Sequence, residues 1–213
     1  MPADRLIYVV DDDEAVRDSL SQLLEARGYT VRSFATAPEF LAAAPSLRPG
    51  CLIADIRMPG MDGLELQRRL IERAYRFPLI VITGHGDVPL AVRAMKAGAV
   101  DFIEKPFAAE TILNSAATAL ARLAEPQGHD LVAATAAARL TLLTPREHEV
   151  LQGLLAGLPN KSIGYDMAIS PRTVEIHRAR VMDKMGARSL SELIRMSLAA
   201  GLLPPPSRPN EAR

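Results

Sequence analysis

Five polar residues, each close to the point where a strand-like run ends, are the part of this sequence best suited to chemistry. They are Asp11, Asp12, Asp55, Thr83 and Lys105. Carboxylates that converge on one point repel each other and attract a hard cation such as Mg²⁺, which takes oxygen ligands. A lysine provides a compact cation for phosphoryl oxygens, and a hydroxyl can hydrogen-bond to one of them. Asp55, in the middle of the set, could then act as an in-line nucleophile that forms an acyl phosphate.

These residues are far apart in sequence, so the elements between them must bring them together. Residues 1–124 alternate five times between a strand-like run and a helical pattern, which predicts a parallel sheet with helices on both faces. The strands are expected at Leu6–Val10, Thr30–Phe34, Cys51–Asp55, Pro78–Thr83 and Val100–Glu104. Right-handed crossovers place all carboxyl ends at one edge, where such sheets bind ligands. A lone aspartate would more often cap a helix or a turn, and only its neighbours favour a reactive site.

Three nearby polar residues have simpler interpretations. Asp13 extends the acidic run and leaves its register open, but the helical pattern that follows favours an N-cap role for Asp13. Asp87 precedes another helical pattern and is expected to cap it in the same way. His85 is a candidate phosphoryl relay, although the glycines on both sides favour a loop residue.

Composition limits the class of protein. With 48% hydrophobic residues, a chain of 213 residues can bury a core in one large or two small domains. No apolar run is long enough for a membrane span, and the N-terminus lacks the layout of a signal peptide. Cys51 is the only cysteine, which excludes an internal disulfide framework and a cysteine metal cage. These features predict a cytoplasmic protein with no membrane partner.

The charges divide the chain into two halves. Residues 1–124 contain 14 Lys and Arg against 16 Asp and Glu, whereas residues 138–213 contain 11 against 7. A basic second half favours a polyanionic partner. The alanine-rich stretch at 133–138 favours helix but supplies little core, so it is either a semi-rigid linker or an extension of the preceding helix.

The second half contains four helical patterns separated by turn signals. Thr144-Pro145-Arg146-Glu147 is a helix start with an N-cap threonine, a first-position proline and a capping box. A short helix follows at 160–167, and Ser170-Pro171 begins a third that runs to about Lys184. Its expected inward members are Val174, Ile176, Val181 and Met185.

Two short helices followed by a longer polar and basic one are typical of a helix-turn-helix, whose last helix reaches base edges and phosphates. An ordinary solvated helix in a bundle is the alternative. Helical period and charge alone would favour that alternative.

Four motifs surround the reactive residues of the first half: Val10-Asp11-Asp12, the run from Asp55 to Gly63, the run from Ile82 to Gly86, and Lys105-Pro106-Phe107. With them, residues 1–124 resemble the receiver domain of two-component response regulators. The resemblance implies a flavodoxin-like five-stranded parallel sheet in which Asp55 accepts phosphate from a sensor histidine kinase. It also implies that Thr83 and Lys105 contact the phosphoryl group and that Phe102 is a switch aromatic, which turns inward when Thr83 moves. The implied Mg²⁺ ligands are Asp11, Asp12, Asp55 and the main-chain carbonyl of Arg57.

Three motifs of the second half, Leu143 to Leu151, Gly157 to Ile163 and Ser170 to His177, resemble the LuxR-type DNA-binding domain. Joined to a receiver, they make the chain similar to FixJ-type response regulators over all but the linker and tail. The DNA contacts taken from the family positions and the basic outer face are Lys161, Arg172, Thr173, Val174, His177, Arg178 and Lys184. Gly164 departs from the alanine expected in the scaffold helix, and glycine there costs about 1 kcal/mol.

The predicted domain bounds are 1–124 for the receiver, 125–140 for the linker, 141–203 for the all-α DNA-binding domain and 204–213 for the tail. The resemblance implies a transcription factor in which phosphorylation drives homodimerisation through roughly residues 88–104 and frees the second domain to bind double-stranded DNA at a promoter operator. RNA polymerase is a further candidate partner. Self-dephosphorylation would be slow at most, so the chain is not expected to be an enzyme.

Two alternative functions remain. A phosphorylation-independent DNA-binding protein could use its receiver only to dimerise, although the acidic cluster, Thr83 and Lys105 argue against it. A Mg²⁺-dependent phosphohydrolase could use Asp55 as its nucleophile, but the sequence offers no second acid–base group near it. Turnover of a small phosphorylated substrate would favour the phosphohydrolase.

Overall fold

The computed structural model describes residues 5–84, 88–124 and 129–202, with the backbone alone for residues 129–132. The predictions made for His85, Asp87, residues 125–128 of the linker and the tail at 204–213 lie outside the described residues. The chain divides into two compact units. One consists of Met1–Gly86 and Ala97–Pro126, and the other of Asp87–Lys96 and Gln127–Arg213.

Five strands of the first unit form the parallel sheet that the sequence predicts. β1 (Leu6–Val10) lies between β2 (Thr30–Phe34) and β3 (Cys51–Asp55), and β4 (Leu79–Thr83) and β5 (Asp101–Glu104) continue beyond β3. All four strand pairings are parallel. The order 2-1-3-4-5 places the topological switch point between β1 and β3, where doubly wound sheets bind ligands.

The described residues contain ten α-helices. In chain order they are α1 (Glu14–Glu25), α2 (Ala37–Ala43), α3 (Gly63–Glu72), α4 (Val88–Lys96), α5 (Ala109–Ala124), α6 (His129–Leu140), α7 (Pro145–Leu155), α8 (Asn160–Met167), α9 (Pro171–Met185) and α10 (Leu190–Ala199). Asp13 caps α1 by accepting from the backbone N–H of Ala15, which confirms the simpler interpretation of this aspartate. Thr144 and Glu147 form the predicted capping box at the start of α7.

Both faces of the sheet are packed. Alternate strand residues share a face, so Ile7, Ile53 and Ile80 form a buried core together with residues of α1 and α5. On β1 the residue between Ile7 and Val9 is Tyr8, whose ring belongs to an aromatic cluster with Phe34, Phe40 and Phe77. This packing fixes the strands, and therefore the loops that follow their carboxyl ends.

Helices α7 to α10 of the second unit enclose a small core of their own, as expected for a four-helix domain. Its fully buried members include Val150, Leu154, Val181, Met185 and Leu193. The alanine-rich stretch at 133–138 lies within helix α6, in agreement with the helix that its composition favours. The choice between a linker helix and an extension of α5 depends on residues 125–128, which lie outside the described residues. Ala136 of α6 is fully buried. No helix in the described ranges combines the length and the hydrophobicity needed to cross a membrane.

Candidate functional site

The carboxyl ends of four strands bring the predicted reactive residues to one edge of the sheet. Asp11 follows β1, Asp55 ends β3, Thr83 ends β4, and Lys105 follows β5. Because β5 pairs with β4, Lys105 continues the ladder and donates its backbone N–H to the carbonyl of Thr83 at 2.7 Å. The topology thus joins side chains that are 94 positions apart in sequence, those of Asp11 and Lys105.

Lys105 lies between two buried carboxylates. Its Nζ is 2.8 Å from Oδ2 of Asp11 and 2.8 Å from Oδ1 of Asp55. Asp11 is 1% exposed and Asp55 is 5% exposed, so both side chains are almost completely removed from water. A buried carboxylate is costly unless an opposite charge and hydrogen bonds compensate it. One ammonium group for two carboxylates leaves negative charge in excess, which suits the site for a further cation.

Two pKa shifts follow from this arrangement. Burial raises the pKa of Asp11 above its ordinary value, and hydrogen bonds from Lys105 and from the backbone N–H of Asp13 offset only part of the effect. Burial alone would lower the pKa of Lys105, but its hydrogen bonds to Asp11 and Asp55 outweigh burial, so that pKa is raised. Lys105 therefore stays protonated at neutral pH.

The loop after β3 folds closely against Asp55. The backbone N–H of Arg57 donates to Oδ2 of Asp55, and that of Gly63 donates to the carbonyl of Ile56 at 3.0 Å. A Cβ on Gly63 would lie 2.5 Å from the carbonyl oxygen of Asp55, which is closer than Cβ contacts allow. Gly63 is therefore required for this approach of the loop to the strand end.

A magnesium site at this edge would be built from oxygen donors. Asp11 and Asp55 are such donors, and the excess negative charge fits a divalent cation. Among the residues that the structure describes, no three or more His, Cys, Asp or Glu side chains come together as a metal cage. Asp12 is exposed. Its role as a ligand, like that of the Arg57 carbonyl, stays a prediction.

Thr83 and Phe102 lie on the neighbouring strands β4 and β5. Thr83 is fully buried. Phe102 is half-buried, and its backbone N–H donates to Oδ1 of Asp101 at 2.9 Å. Their contact with a phosphoryl group and their coupled movement stay predictions.

The second candidate site is the helix-turn-helix of α8 and α9. Ala168 ends α8 in the left-handed region with φ of 54°, and Ser170 caps α9 by accepting from the backbone N–H of Thr173 at 3.1 Å. Gly164 lies where α8 approaches the turn, since a Cβ there would be 2.8 Å from the carbonyl oxygen of Ile169. The glycine that departs from the expected alanine thus permits a close approach of helix and turn.

Helix α9 presents one stripe to solvent. Beyond the exposed first residue Pro171, its exposed members recur at spacings of three and four positions: Arg172, Glu175, Ile176, Ala179, Arg180 and Asp183. Val174 is fully buried, which agrees with its predicted inward position and leaves no exposed side chain for the DNA contact also assigned to it. Ile176 is 49% exposed, so the prediction that it faces inward is wrong. Residues two positions apart in an α-helix are rotated by roughly 200° about its axis, so Val174 and Ile176 cannot share one face.

The other predicted DNA contacts differ in accessibility. Lys161 and Arg172 are exposed, whereas Thr173, His177 and Arg178 are half-buried. Thr173 forms a hydroxyl pair with Ser170 at 2.8 Å. Nδ1 of His177 is buried and has no hydrogen-bond partner within the described residues.

Lys184 is engaged within the domain. Its Nζ donates to Oε2 of Glu147 at 2.7 Å and to the carbonyl of Leu142 at 3.1 Å. Glu147 is 3% exposed. The pKa of this carboxyl is lowered to about 2, first by the hydrogen bond from Lys184 and then by that from the backbone N–H of Thr144.

The sequence shows Glu175 and Arg180 among the polar residues of this helix but assigned no DNA contact to them, and it left Ile176 and Ala179 out of the candidate interface. The signal that could have found them was the helical spacing from Arg172, counted as an outward stripe. An exposed isoleucine among charged residues is the informative member, because apolar side chains contact the methyl group of thymine in the major groove.

Comparison with known proteins identifies a family for each half of the chain. Residues 7–117 match the family described as response regulator receiver domain, and residues 141–197 match the bacterial regulatory proteins of the luxR family. The transcriptional regulatory protein FixJ of Bradyrhizobium diazoefficiens is 52% identical over 198 residues, which cover 92% of this chain and 96% of that protein. The chain is a FixJ-type response regulator. The family predicted from the sequence motifs is thereby confirmed, as is the fold class.

Two solved structures extend the comparison of this FixJ-type regulator. The crystal structure of full-length FixJ from B. japonicum has a TM-score of 0.55 and 50% identity, and the match covers 93% of this chain and 98% of that chain. The solution structure of the beryllofluoride-activated NtrC4 receiver domain dimer has a TM-score of 0.53 and 36% identity, and covers 55% of this chain and 98% of that one. As a member of this family, the chain combines a receiver, which implies a histidine kinase partner, with a LuxR-type DNA-binding domain.

Proposed function

We propose that this FixJ-type regulator controls transcription through phosphorylation of Asp55 by a sensor histidine kinase. The observation that best supports the proposal is the arrangement of Asp11, Lys105 and Asp55. The acceptor carboxylate is buried, lies 2.8 Å from a lysine ammonium and sits near a second carboxylate. These groups suit an acidic acceptor that must receive, hold and release a phosphoryl group.

In the proposed reaction, a carboxylate oxygen of Asp55 attacks the phosphorus of a phosphohistidine, and the bond from phosphorus to the histidine nitrogen breaks. The Lys105 ammonium and the Thr83 hydroxyl then contact oxygens of the transferred group. Mg²⁺, held by Asp11, Asp12, Asp55 and the carbonyl of Arg57, would supply positive charge to the phosphoryl oxygens. Any self-dephosphorylation is slow, and turnover of other substrates is not part of the proposal.

The proposed output is a homodimer. Acyl phosphate at Asp55 recruits Thr83, Phe102 turns inward, and the surface of roughly 88–104 changes so that two copies associate. The likeness to a receiver described as a beryllofluoride-activated dimer supports this step. Dimerisation strengthens DNA binding because two linked helix-turn-helix modules act on adjacent half-sites at a high effective concentration.

The proposed DNA interface is the outer surface of α8 and α9. It retains Lys161, Arg172, Thr173, His177 and Arg178 from the sequence, and adds the exposed stripe residues Glu175, Ile176, Ala179 and Arg180. The partners are double-stranded DNA at a promoter operator and RNA polymerase at the same promoter. This function places the protein in the cytoplasm, with the domain bounds predicted from the sequence.

The second candidate function is a DNA-binding regulator whose receiver serves only to dimerise, independently of phosphorylation. Such a module would not need two carboxylates buried against one lysine. The arrangement of Asp11, Lys105 and Asp55 therefore favours the phosphorylation switch.

Sedimentation velocity of the full-length protein tests the two functions against each other. The protein is measured with Mg²⁺, with and without beryllofluoride as a mimic of the acyl phosphate, and Asp55→Asn is the control. We expect a shift from monomer to dimer in the wild type with beryllofluoride, and no shift in the variant.

An unchanged sedimentation coefficient in both proteins would exclude dimerisation as the output. A dimer in all four conditions would instead favour the phosphorylation-independent function. Either result would require a different account of the receiver.

A further inference from the structure

The last turn of α9 is held by the segment that enters the DNA-binding domain. Three side chains make the contacts, and we call them the α9 clamp: Arg139 of α6, Glu147 of α7 and Lys184 of α9. Arg139 lies before the first residue of the luxR-family match, at 141, and inside the stretch that the sequence assigned to the linker. The clamp therefore ties the assigned linker to the proposed recognition helix.

Arg139 compensates the carboxyl end of α9. Its Nη1 donates to the carbonyl of Met185 at 2.6 Å. The last carbonyls of a helix lack partners within the helix, and a cation at this end also interacts favourably with the helix dipole. The next residue is Gly186, where a Cβ would lie 2.5 Å from Nη1 of Arg139. The absence of a side chain at Gly186 leaves room for the guanidinium.

Glu147 and Lys184 hold the same turn from a second direction. Oε2 of Glu147 accepts from Lys184 at 2.7 Å and from the backbone N–H of Thr144 at 2.8 Å. The second contact of Lys184, with the carbonyl of Leu142, binds the α6–α7 connection as well. Because Glu147 is buried, losing Lys184 would leave its charge beside the backbone N–H of Thr144 but without the opposite charge of the ion pair.

We propose that Arg139, Glu147 and Lys184 are positioning residues for DNA recognition, which fix the carboxyl end of α9 and do not contact DNA. The inference rests on the proposed function, since it takes α9 as the helix that enters the major groove. It replaces the earlier assignment of Lys184 to the DNA interface. It also makes α6 a part of the recognition apparatus.

The test measures how DNA affinity depends on salt. Full-length protein with Mg²⁺ and beryllofluoride is titrated into a fluorescein-labelled 30-base-pair duplex of mixed sequence, and fluorescence anisotropy is followed between about 50 and 200 mM salt. A lysine that contacts a phosphate contributes about 0.9 to the slope of log affinity against log salt. The variants are Lys184→Met, Arg139→Met and Arg139→Lys, with Lys161→Met as a control for an exposed lysine in the proposed interface.

For Lys184→Met and Arg139→Met we expect an unchanged salt slope and about a fivefold loss of affinity at every salt concentration, from the loss of helix-end compensation. Lys161→Met should lower the slope by about 0.9. Arg139→Lys should keep most of the affinity, because an ammonium group can also donate to the carbonyl of Met185. Adding Glu147→Gln to Lys184→Met should cause little further loss, since the two residues act as one pair.

Two controls separate positioning from general destabilisation. All titrations are made at a temperature at which circular dichroism shows each variant to be folded. Ser197→Ala removes a buried hydroxyl that donates to the carbonyl of Leu193 in α10, away from the clamp. It should lower the unfolding temperature without a comparable loss of DNA affinity.

A slope lowered by Lys184→Met as much as by Lys161→Met would overturn the inference and restore Lys184 as a phosphate contact. Unchanged affinity in both Lys184→Met and Arg139→Met would overturn it as well. Failure of the unaltered protein to bind the duplex, by contrast, would contradict the proposed DNA-binding function itself.

Discussion

At Lys105, a single ammonium group compensates two buried carboxylates, and both depend on it. Asp11 and Asp55 lie on different strands and have almost no access to water. Removing the ammonium would leave like charges close together in a medium of low polarity. A bound divalent cation could take over part of that compensation.

We therefore expect Lys105→Met to lower the free energy of unfolding of the full-length protein by about 3 kcal/mol without Mg²⁺. Addition of millimolar Mg²⁺ should recover part of the loss, because the cation neutralises the carboxylates. Urea denaturation followed by circular dichroism, with and without Mg²⁺, measures both effects. Lys96→Met, an exposed lysine in the last turn of α4, is the matched control, and an equal effect of the two substitutions would contradict the argument.

At the same scale, Val174 and Ile176 show what the sequence could and could not reveal. Both are β-branched apolar residues in one helix, and apolar identity alone assigned both to the core. The helical rotation separates them: α9 packs against α7 and α8, and Val174 is buried whereas Ile176 is exposed. In a helix with few apolar residues, the sequence does not determine which face points inward until the packing partners are known.

Ile176→Ser should change the DNA sequences that the protein selects from a random duplex library, because a hydroxyl cannot replace the apolar contact with a thymine methyl. Its stability should stay within about 0.5 kcal/mol of wild type, as for other exposed positions. Val174→Ala should instead cost about 2 kcal/mol of stability, as a buried large-to-small change, and leave the selected sequence unchanged. The reverse pattern, with sequence preference altered only by Val174→Ala, would restore the original assignment.

At the scale of elements, the start of α7 combines a helix cap and an ion pair in one carboxylate. The pKa of Glu147 falls from 4.5 to about 2 in the folded state. A folded-state pKa below the unfolded value means that the stabilisation is present above pH 4.5 and is lost as the pH falls toward 2. Lys184 is the charged group that faces this carboxylate.

For Glu147→Gln we accordingly expect lower hydrogen-exchange protection of α7 and α9 at pH 7, and a difference from wild type that shrinks as the pH falls from about 5 toward 2. Hydrogen-exchange mass spectrometry of peptides from α7 and α9 measures this protection in the variant and in the wild type. Glu149→Gln is the control, because Glu149 lies on the exposed side of α7 and pairs only with Arg146 among the described residues. A difference that stays constant with pH would show that the charge of Glu147 contributes nothing.

The elements themselves could be predicted well from the sequence. Apolar runs, N-cap residues and glycines located the five strands and the helices of both units, because local chemistry specifies these features. The packing of helix α6 could not be predicted in this way, although its alanine-rich composition favoured a helix. Its alanines carry no clear apolar stripe, and one of its contacts with α9 is made by a long polar side chain, that of Arg139.

At the scale of the whole molecule, a net charge of zero conceals two halves of opposite character. The exposed or half-buried cations on the outer surface of α8 and α9 are Lys161, Arg172, Arg178 and Arg180. Lys184 is not counted in this group, because its ammonium group is bound to Glu147 and Leu142 within the α9 clamp. Four of the 11 Lys and Arg residues between 138 and 213 thus lie together on the outer surface of α8 and α9.

If each of these four cations contacts one phosphate, the salt slope for the mixed-sequence duplex should be about −3.6 per protomer. Arg180→Met should reduce it by about 0.9. Asp55→Asn should leave the slope per protomer unchanged, since the receiver supplies none of these contacts. A slope near zero would show that the surface of α8 and α9 does not bind the phosphate backbone.

The contact between Lys105 and Asp11, which are 94 positions apart in sequence, also has a consequence during synthesis of the chain. Asp55 leaves the ribosome well before β5 has been synthesised, and contacts this distant in sequence form late because the intervening chain must first be ordered. A nascent receiver that ends before β5 therefore contains Asp55 but not the cation that compensates it. On the proposed function, such an incomplete chain lacks the ammonium that would contact the phosphoryl group, so we expect it to accept phosphate from the kinase only after β5 has joined the sheet.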